Sequence, residues 1–204
     1  MSRRPLLLAL AAAFATFAVG RAVADDLDVP KLFDSAKAAF GEKKYGKALR
    51  DTQDALAEVA RLRAEAVKAA LPGAPEGWKA EDAEGDLQGF AWLAQGIDLK
   101  RRYTRGDETS AQLDLWVDAP IVVQSLSMAI ANPAFVPGGK IVTIKGRRAL
   151  YEYSKENKTA KLTIQLQTPN SILVLEGRGL GDKELSDSFA SSLDLDALEK
   201  SIAN

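Results

Sequence analysis

Between residues 28 and 70 the apolar positions recur at helical spacing. Leu32, Phe33, Ala36, Ala39 and Phe40 fall on one stripe, and Asp28 with Pro30 supplies a start: a capping side chain and a proline in the first turn. Gly41-Glu42-Lys43-Lys44 reads as a turn, and a second helix is predicted from about Tyr45 to Ala70. Tyr45, Leu49, Thr52, Leu56 and Val59 step by alternating fours and threes, which predicts a seam facing a partner helix. Small Ala48 and Ala55 beside that seam allow the two helices to approach closely. Leu71-Pro72-Gly73-Ala74-Pro75 ends the pattern, because proline cannot continue a helix.

Beyond residue 76 the period changes from helical to alternating. Trp78 to Ala80 reads as a short strand. Ala94 to Thr104 and Ser110 to Val117 read as a hairpin around Arg105-Gly106-Asp107-Glu108, with Ala111, Leu113, Leu115 and Val117 alternating with polar positions. Residues 120–131 fit either a strand start, Ile121-Val122-Val123, or a helix, and the Asp118-x-Pro120 signal favours helix. Four strands follow, Lys140 to Lys145, Ala149 to Ser154, Lys161 to Gln167 and Ile172 to Gly177. The chain ends in a helix over Asp182 to Leu193 and a short one over Asp196 to Ile202. The expected class is therefore α+β: an antiparallel helical hairpin, then a mainly antiparallel sheet of about six or seven strands with flanking helices. The expected division is a leader over 1–24, a hairpin over 25–71, a linker over 72–75 and an α+β domain over 76–204.

Ala39-Phe40, Tyr45, Ala48-Leu49 and Ala55-Leu56 resemble one tetratricopeptide repeat over residues 39–56, without the proline that usually follows the second helix. That resemblance implies a helical hairpin with an outer face suited to another protein or to a second copy. The order strand, hairpin, helix, meander, helix resembles the Mog1/PsbP-like family, carried by Pro75-Glu76-Gly77-Trp78, by Ile144 to Ala149 and by Leu175 to Leu193. This second resemblance implies a binding or assembly module with no shared active site.

Arg3 and Arg4, the apolar run Leu6 to Gly20 and Ala22-Val23-Ala24 have the pattern of a cleavable export signal, with cleavage expected after Ala24. The run is shorter than the roughly 20 residues of a membrane span. Ser2-Arg3-Arg4 also resembles a twin-arginine signal, but the general secretory route is favoured because two leading arginines are common in such leaders. The expected location is the periplasm or the exterior. Removing Arg3, Arg4 and Arg21 from the 27 basic residues leaves 24 against 28 acidic ones, a net charge of −4. Such a chain lacks the concentrated positive charge that neutralises nucleic-acid phosphates.

The sequence contains no histidine and no cysteine. That excludes serine–histidine–acid triads, cysteine nucleophiles, thiolate or imidazole metal sites and disulfides. Gly177-Arg178-Gly179-Leu180-Gly181 lacks dinucleotide-loop spacing, and Asp182 is expected to cap the following helix. Glu81, Asp82, Glu84 and Asp86 around Gly85 lack calcium-loop spacing and read as a solvated acidic loop. No cofactor and no metal are expected.

The candidate contact residues are Lys100, Arg101, Arg102 and Arg105 in one hairpin, together with Trp116, Leu126, Met128 and Phe135. Strand parity puts Lys100 and Arg102 on one face and Arg101 with Leu99 and Tyr103 on the other, drawing Arg101 inward toward a carboxylate or a ligand anion. Trp116 is either covered by a helix or a contact residue, and residues 120–139 form a possible lid over the sheet. The favoured function is a non-catalytic, exported accessory or interaction module that binds another periplasmic protein or itself through the hairpin. The alternative is a carrier for an apolar or amphipathic small molecule under that lid. A hydrolase working through carboxylates alone stands last.

Overall fold

The computed structural model describes residues 28–88 and 96–204, with the side chains of 86–88 and of Phe135 outside that description. The expected leader over 1–24 and the first two residues of the strand expected over Ala94 to Thr104 lie outside the described residues.

Helix α1, Val29–Gly41, begins as its sequence dictates: the Asp28 carboxylate accepts the Lys31 N–H at 3.1 Å, and Pro30 occupies the first turn. The chain reverses through Lys43, which adopts a left-handed φ of 61°. Helix α2, Tyr45–Ala69, then runs back for 25 residues, about 37 Å. The contact between the helices is marked by the buried alanines Ala36, Ala39, Ala48 and Ala55. Lys47 Nζ reaches across it to Ser35 Oγ at 2.6 Å and pairs with Asp51 at 2.5 Å.

The second half of α2 belongs to a different environment. Val67 and the following Leu71 are buried in the main core of the sheet. Arg63 pairs with Asp118 at 2.7 Å and donates to the Ile202 carbonyl at 3.2 Å. The linker is pinned as well: Tyr103 Oη donates to the Pro72 carbonyl at 2.7 Å, and Arg101 Nη1 donates to the carbonyls of Leu71 and Pro72 at 2.9 and 3.2 Å.

The sheet is antiparallel throughout the described residues and has eight strands: β1 Lys79–Ala80, β2 Glu84–Gln88, β3 Gly96–Arg105, β4 Thr109–Val117, β5 Lys140–Ile144, β6 Arg147–Ser154, β7 Thr159–Gln165 and β8 Ile172–Arg178. The order is β1-β3-β4-β8-β7-β6-β5, with β2 sharing the β3 edge beside β1. Strand β2 corrects the reading of residues 81–86 as a loop. Glu84 pairs opposite Lys100 and Gly85 opposite Leu99, so the acidic run is in part the outer face of an edge strand. Gly85 makes this possible: a Cβ there would lie 2.0 Å from the Asp98 carbonyl oxygen, at a φ of 139°.

Alternation builds two unlike faces. Leu99, Tyr103, Leu113, Leu115, Leu162, Ile164, Leu173 and Leu175 point to the main core. The end of α2, Leu185 and Phe189 of a π-helical segment over Glu184–Ala190, and helix α4, Leu195–Ala203, cover them. Helix α3, Pro120–Ala131, resolves the ambiguous stretch as helix and lies on the opposite face. There Val123, Leu126, Ala129 and Ile130 pack with Trp116, Leu150 and Ile172. Asp182 does not cap the next helical segment. Its carboxylate accepts from Tyr151 Oη at 3.3 Å, and Glu184 takes the Gly181 N–H at 3.0 Å.

Arg147 secures α4. Its side chain, 5% exposed, donates through Nε and Nη2 to Glu199 at 3.3 and 2.6 Å, through Nη1 to the Lys145 carbonyl at 2.5 Å, and through Nη2 to Asp196. Glu199 also accepts the Gln167 N–H at 2.8 Å. Its carboxylate therefore joins helix, strand and loop.

Candidate functional site

The helical hairpin carries the most distinctive surface. The 4-3 spacing of Tyr45, Leu49, Thr52, Leu56 and Val59 predicts coverage by a partner helix, yet α1 sits one flank over, against Ala48 and Ala55. Two alanines admit a neighbouring helix more closely than leucines do, and α1 takes that side. The seam is left open. Tyr45, Leu49, Leu56 and Val59, with Phe33 and Phe40 of α1, keep between 39% and 66% of their surface in solvent. Phe40 and Tyr45 meet edge to face across the turn, with ring centroids 5.5 Å apart.

At the far end of the seam lies a groove of about 550 Å³ between α2 and α4. It is lined by Val59, Arg63, Ala66, Ala197 and Lys200, among others. The heptad continues into it, since Arg63 and Ala66 occupy the next two seam positions after Val59. Reading the seam only as far as Val59 misses this groove, whose second wall comes from a helix more than a hundred residues away in sequence.

The basic residues of β3 divide by parity. Arg101 points inward as expected, but its partners are the backbone carbonyls of Leu71 and Pro72, so it fastens the linker. Arg105 pairs with Glu184, and its guanidinium lies 4.9 Å from the centroid of the Trp78 ring. The Gly181 N–H and this pairing hold the Glu184 carboxyl below its usual range. Lys100 and Arg102 instead lie on the part of the sheet that α3 leaves open. There Arg102, Gln112, Glu176, Lys161 and Glu152 form one cross-strand row. Alternating charge along such a row satisfies itself, as in the 2.9 Å Lys161–Glu176 pair. Asp114 beside this row is 6% exposed and accepts Gln112 Nε2 on both oxygens at 3.0 Å. Burial pushes its pKa up.

Of the apolar candidates, Trp116 and Leu126 are taken up in the cluster beneath α3, with Ile130, Leu150 and Ile172 filling the space between helix and sheet. Met128 faces solvent on the outer side of α3. Phe135 follows in a short 3-10 turn, Pro133–Phe135, and its side chain lies outside the described residues. Among the described residues no group of three or more acidic side chains is placed to hold a metal ion, and no helix is long and apolar enough to cross a membrane. No family model, curated protein or solved structure matches the chain.

Proposed function

We propose that the chain is an exported, non-catalytic accessory protein whose helical hairpin docks a protein partner through the open seam. One observation carries this reading: six large apolar side chains on one face of α1 and α2 are between 39% and 66% exposed. Together these residues leave roughly 600 Å² in solvent, most of it apolar, in the range of the largest patch found on ordinary monomers. Patches of that size are often functional. The export component rests on the leader pattern of residues 1–24. Of the acidic groups in defined surroundings, Glu184 and Glu199 are engaged with Arg105 and Arg147, as structural pairs are, and Asp114 accepts from Gln112 on both oxygens. A small-molecule carrier is the less favoured reading, because the residues beneath α3 are packed on each other.

The test is photo-crosslinking in the source cells, with p-benzoylphenylalanine replacing Leu49 in the full chain and, as a control, replacing Gln112 on the open sheet face. An adduct heavier than the chain at position 49 and none at position 112 is the expected result. Loss of any adduct at position 49 removes the reading.

A further inference from the structure

Resting on that reading of the seam, we infer that its occupant is a second copy of this chain, paired antiparallel about a two-fold axis near Thr52. The surface is complementary to itself. One end of the seam carries a knob, the Phe40–Tyr45 ring pair, and the other end carries the groove behind Val59. Both lie on the same side of α2, about 20 Å apart along it at 1.5 Å per residue.

A two-fold axis requires that if one residue touches another, the reverse contact forms as well. Reversing the helix about Thr52 places Leu49 within one residue of Leu56 of the second copy. The same operation puts Tyr45 level with Val59, so each knob meets the other copy's groove. One rotation therefore fills both grooves and closes the assembly.

The sequence beside the seam permits this approach. Gly46 and Gln53 occupy the positions flanking its outer half on the side away from α1, and neither carries a charge; Ala60, the next such position, is buried by the chain's own fold. The area suffices too. About 600 Å² from each copy gives about 1,200 Å² in total when all six side chains are fully covered, the lower bound of specific, stable interfaces, with the groove walls adding to it.

The absence of cysteine from the sequence makes the test direct. Light scattering of the full chain over a dilution series is expected to show twice the chain mass. Leu49→Glu places two charges in the symmetric seam and is expected to weaken the dimer by at least about a hundredfold. Because Leu49 is largely exposed, the far-UV circular dichroism and melting profile of that variant are expected to stay those of the parent. Thr52→Cys, next to the axis, is expected to cross-link to itself on mild oxidation, and Gln112→Cys is not.

A parent chain that stays monomeric at every dilution overturns the inference. So does a dimer that survives Leu49→Glu and fails to cross-link through position 52. In the monomeric case, an adduct with a different protein from the photoreactive group at position 49 preserves the docking face and removes only the second copy. No adduct removes both.

Discussion

Replacing Arg147 by Met tests what holds the C-terminal helix to the sheet. The guanidinium is nearly enclosed, with 5% of the side chain exposed, and it faces Glu199, whose side chain is 10% exposed. Methionine fills much of the volume of the arginine stem but leaves the Glu199 carboxylate with only the Gln167 N–H as a partner. Breaking a buried pair by removing one member costs about 3–5 kcal/mol, mostly the desolvation of the charge left behind. In a chain of this size about 3 kcal/mol lowers Tm by roughly 6–12 °C. Thermal unfolding followed by circular dichroism at pH 7 reads that shift. Adding Glu199→Gln to Arg147→Met is expected to restore part of the loss, because the amide still accepts from Gln167 without an unpaired charge. The pH profile gives a second reading. Arg147 holds Asp196 below its ordinary value of 3.8, so this contribution is present above that value and is lost as pH falls through the lower folded-state pKa. The difference between parent and Arg147→Met therefore narrows in acid. A loss under about 1 kcal/mol at pH 7, the range of an ordinary exposed pair, refutes the buried-charge reasoning.

Two further substitutions test the sheet edge and the linker. Gly85→Ala puts a methyl group 2.0 Å from the Asp98 carbonyl at a φ that side chains rarely adopt; a loss above about 2 kcal/mol in urea unfolding is expected, with faster amide exchange confined to β2 and its β3 partners. Tyr103→Phe removes the bond to Pro72 and is expected to cost about 1 kcal/mol. Burial pushes the Tyr103 phenol up to about 12, so its contribution is complete below pH 10 and fades between pH 10 and 12. Ultraviolet titration should show a phenol titrating near pH 12 that Tyr103→Phe abolishes, beside Tyr151, which burial also pushes up; a late phase left unchanged by Tyr103→Phe would contradict the buried phenol.

Periodicity made the helices and most strands legible, because each has one face in a core. The alternation of Ala111, Leu113, Leu115 and Val117 is the burial pattern of β4 itself. Parity also gave the inward direction of Arg101, although its carbonyl partners, Leu71 and Pro72, come from the stretch after α2, which local spacing does not register. Strand β2 was hidden because an edge strand with acidic outer positions has the composition of a loop, and only the close approach at Gly85 distinguishes them. The Arg147–Glu199 pair, 52 residues apart, leaves no local signal at all. The seam was visible as a spacing, but spacing does not say which neighbour covers it. That choice was decided by Ala48 and Ala55, whose small side chains drew α1 to the adjacent flank.

Helix α2 is continuous from the hairpin into the core of the sheet, and this sets where the chain can be divided. A cut at the proline-rich stretch after Leu71 looks natural on composition. It would nonetheless take Val67 and Leu71 out of the main core and remove the carbonyls that Arg101 and Tyr103 bind. A gene fragment coding only for the sheet would have a hole where α2 ends, and one coding only for the hairpin would expose the side chains meant to fill it. For recombination and grafting alike, the smallest transferable unit runs through that boundary, and the hairpin travels with the sheet beneath it.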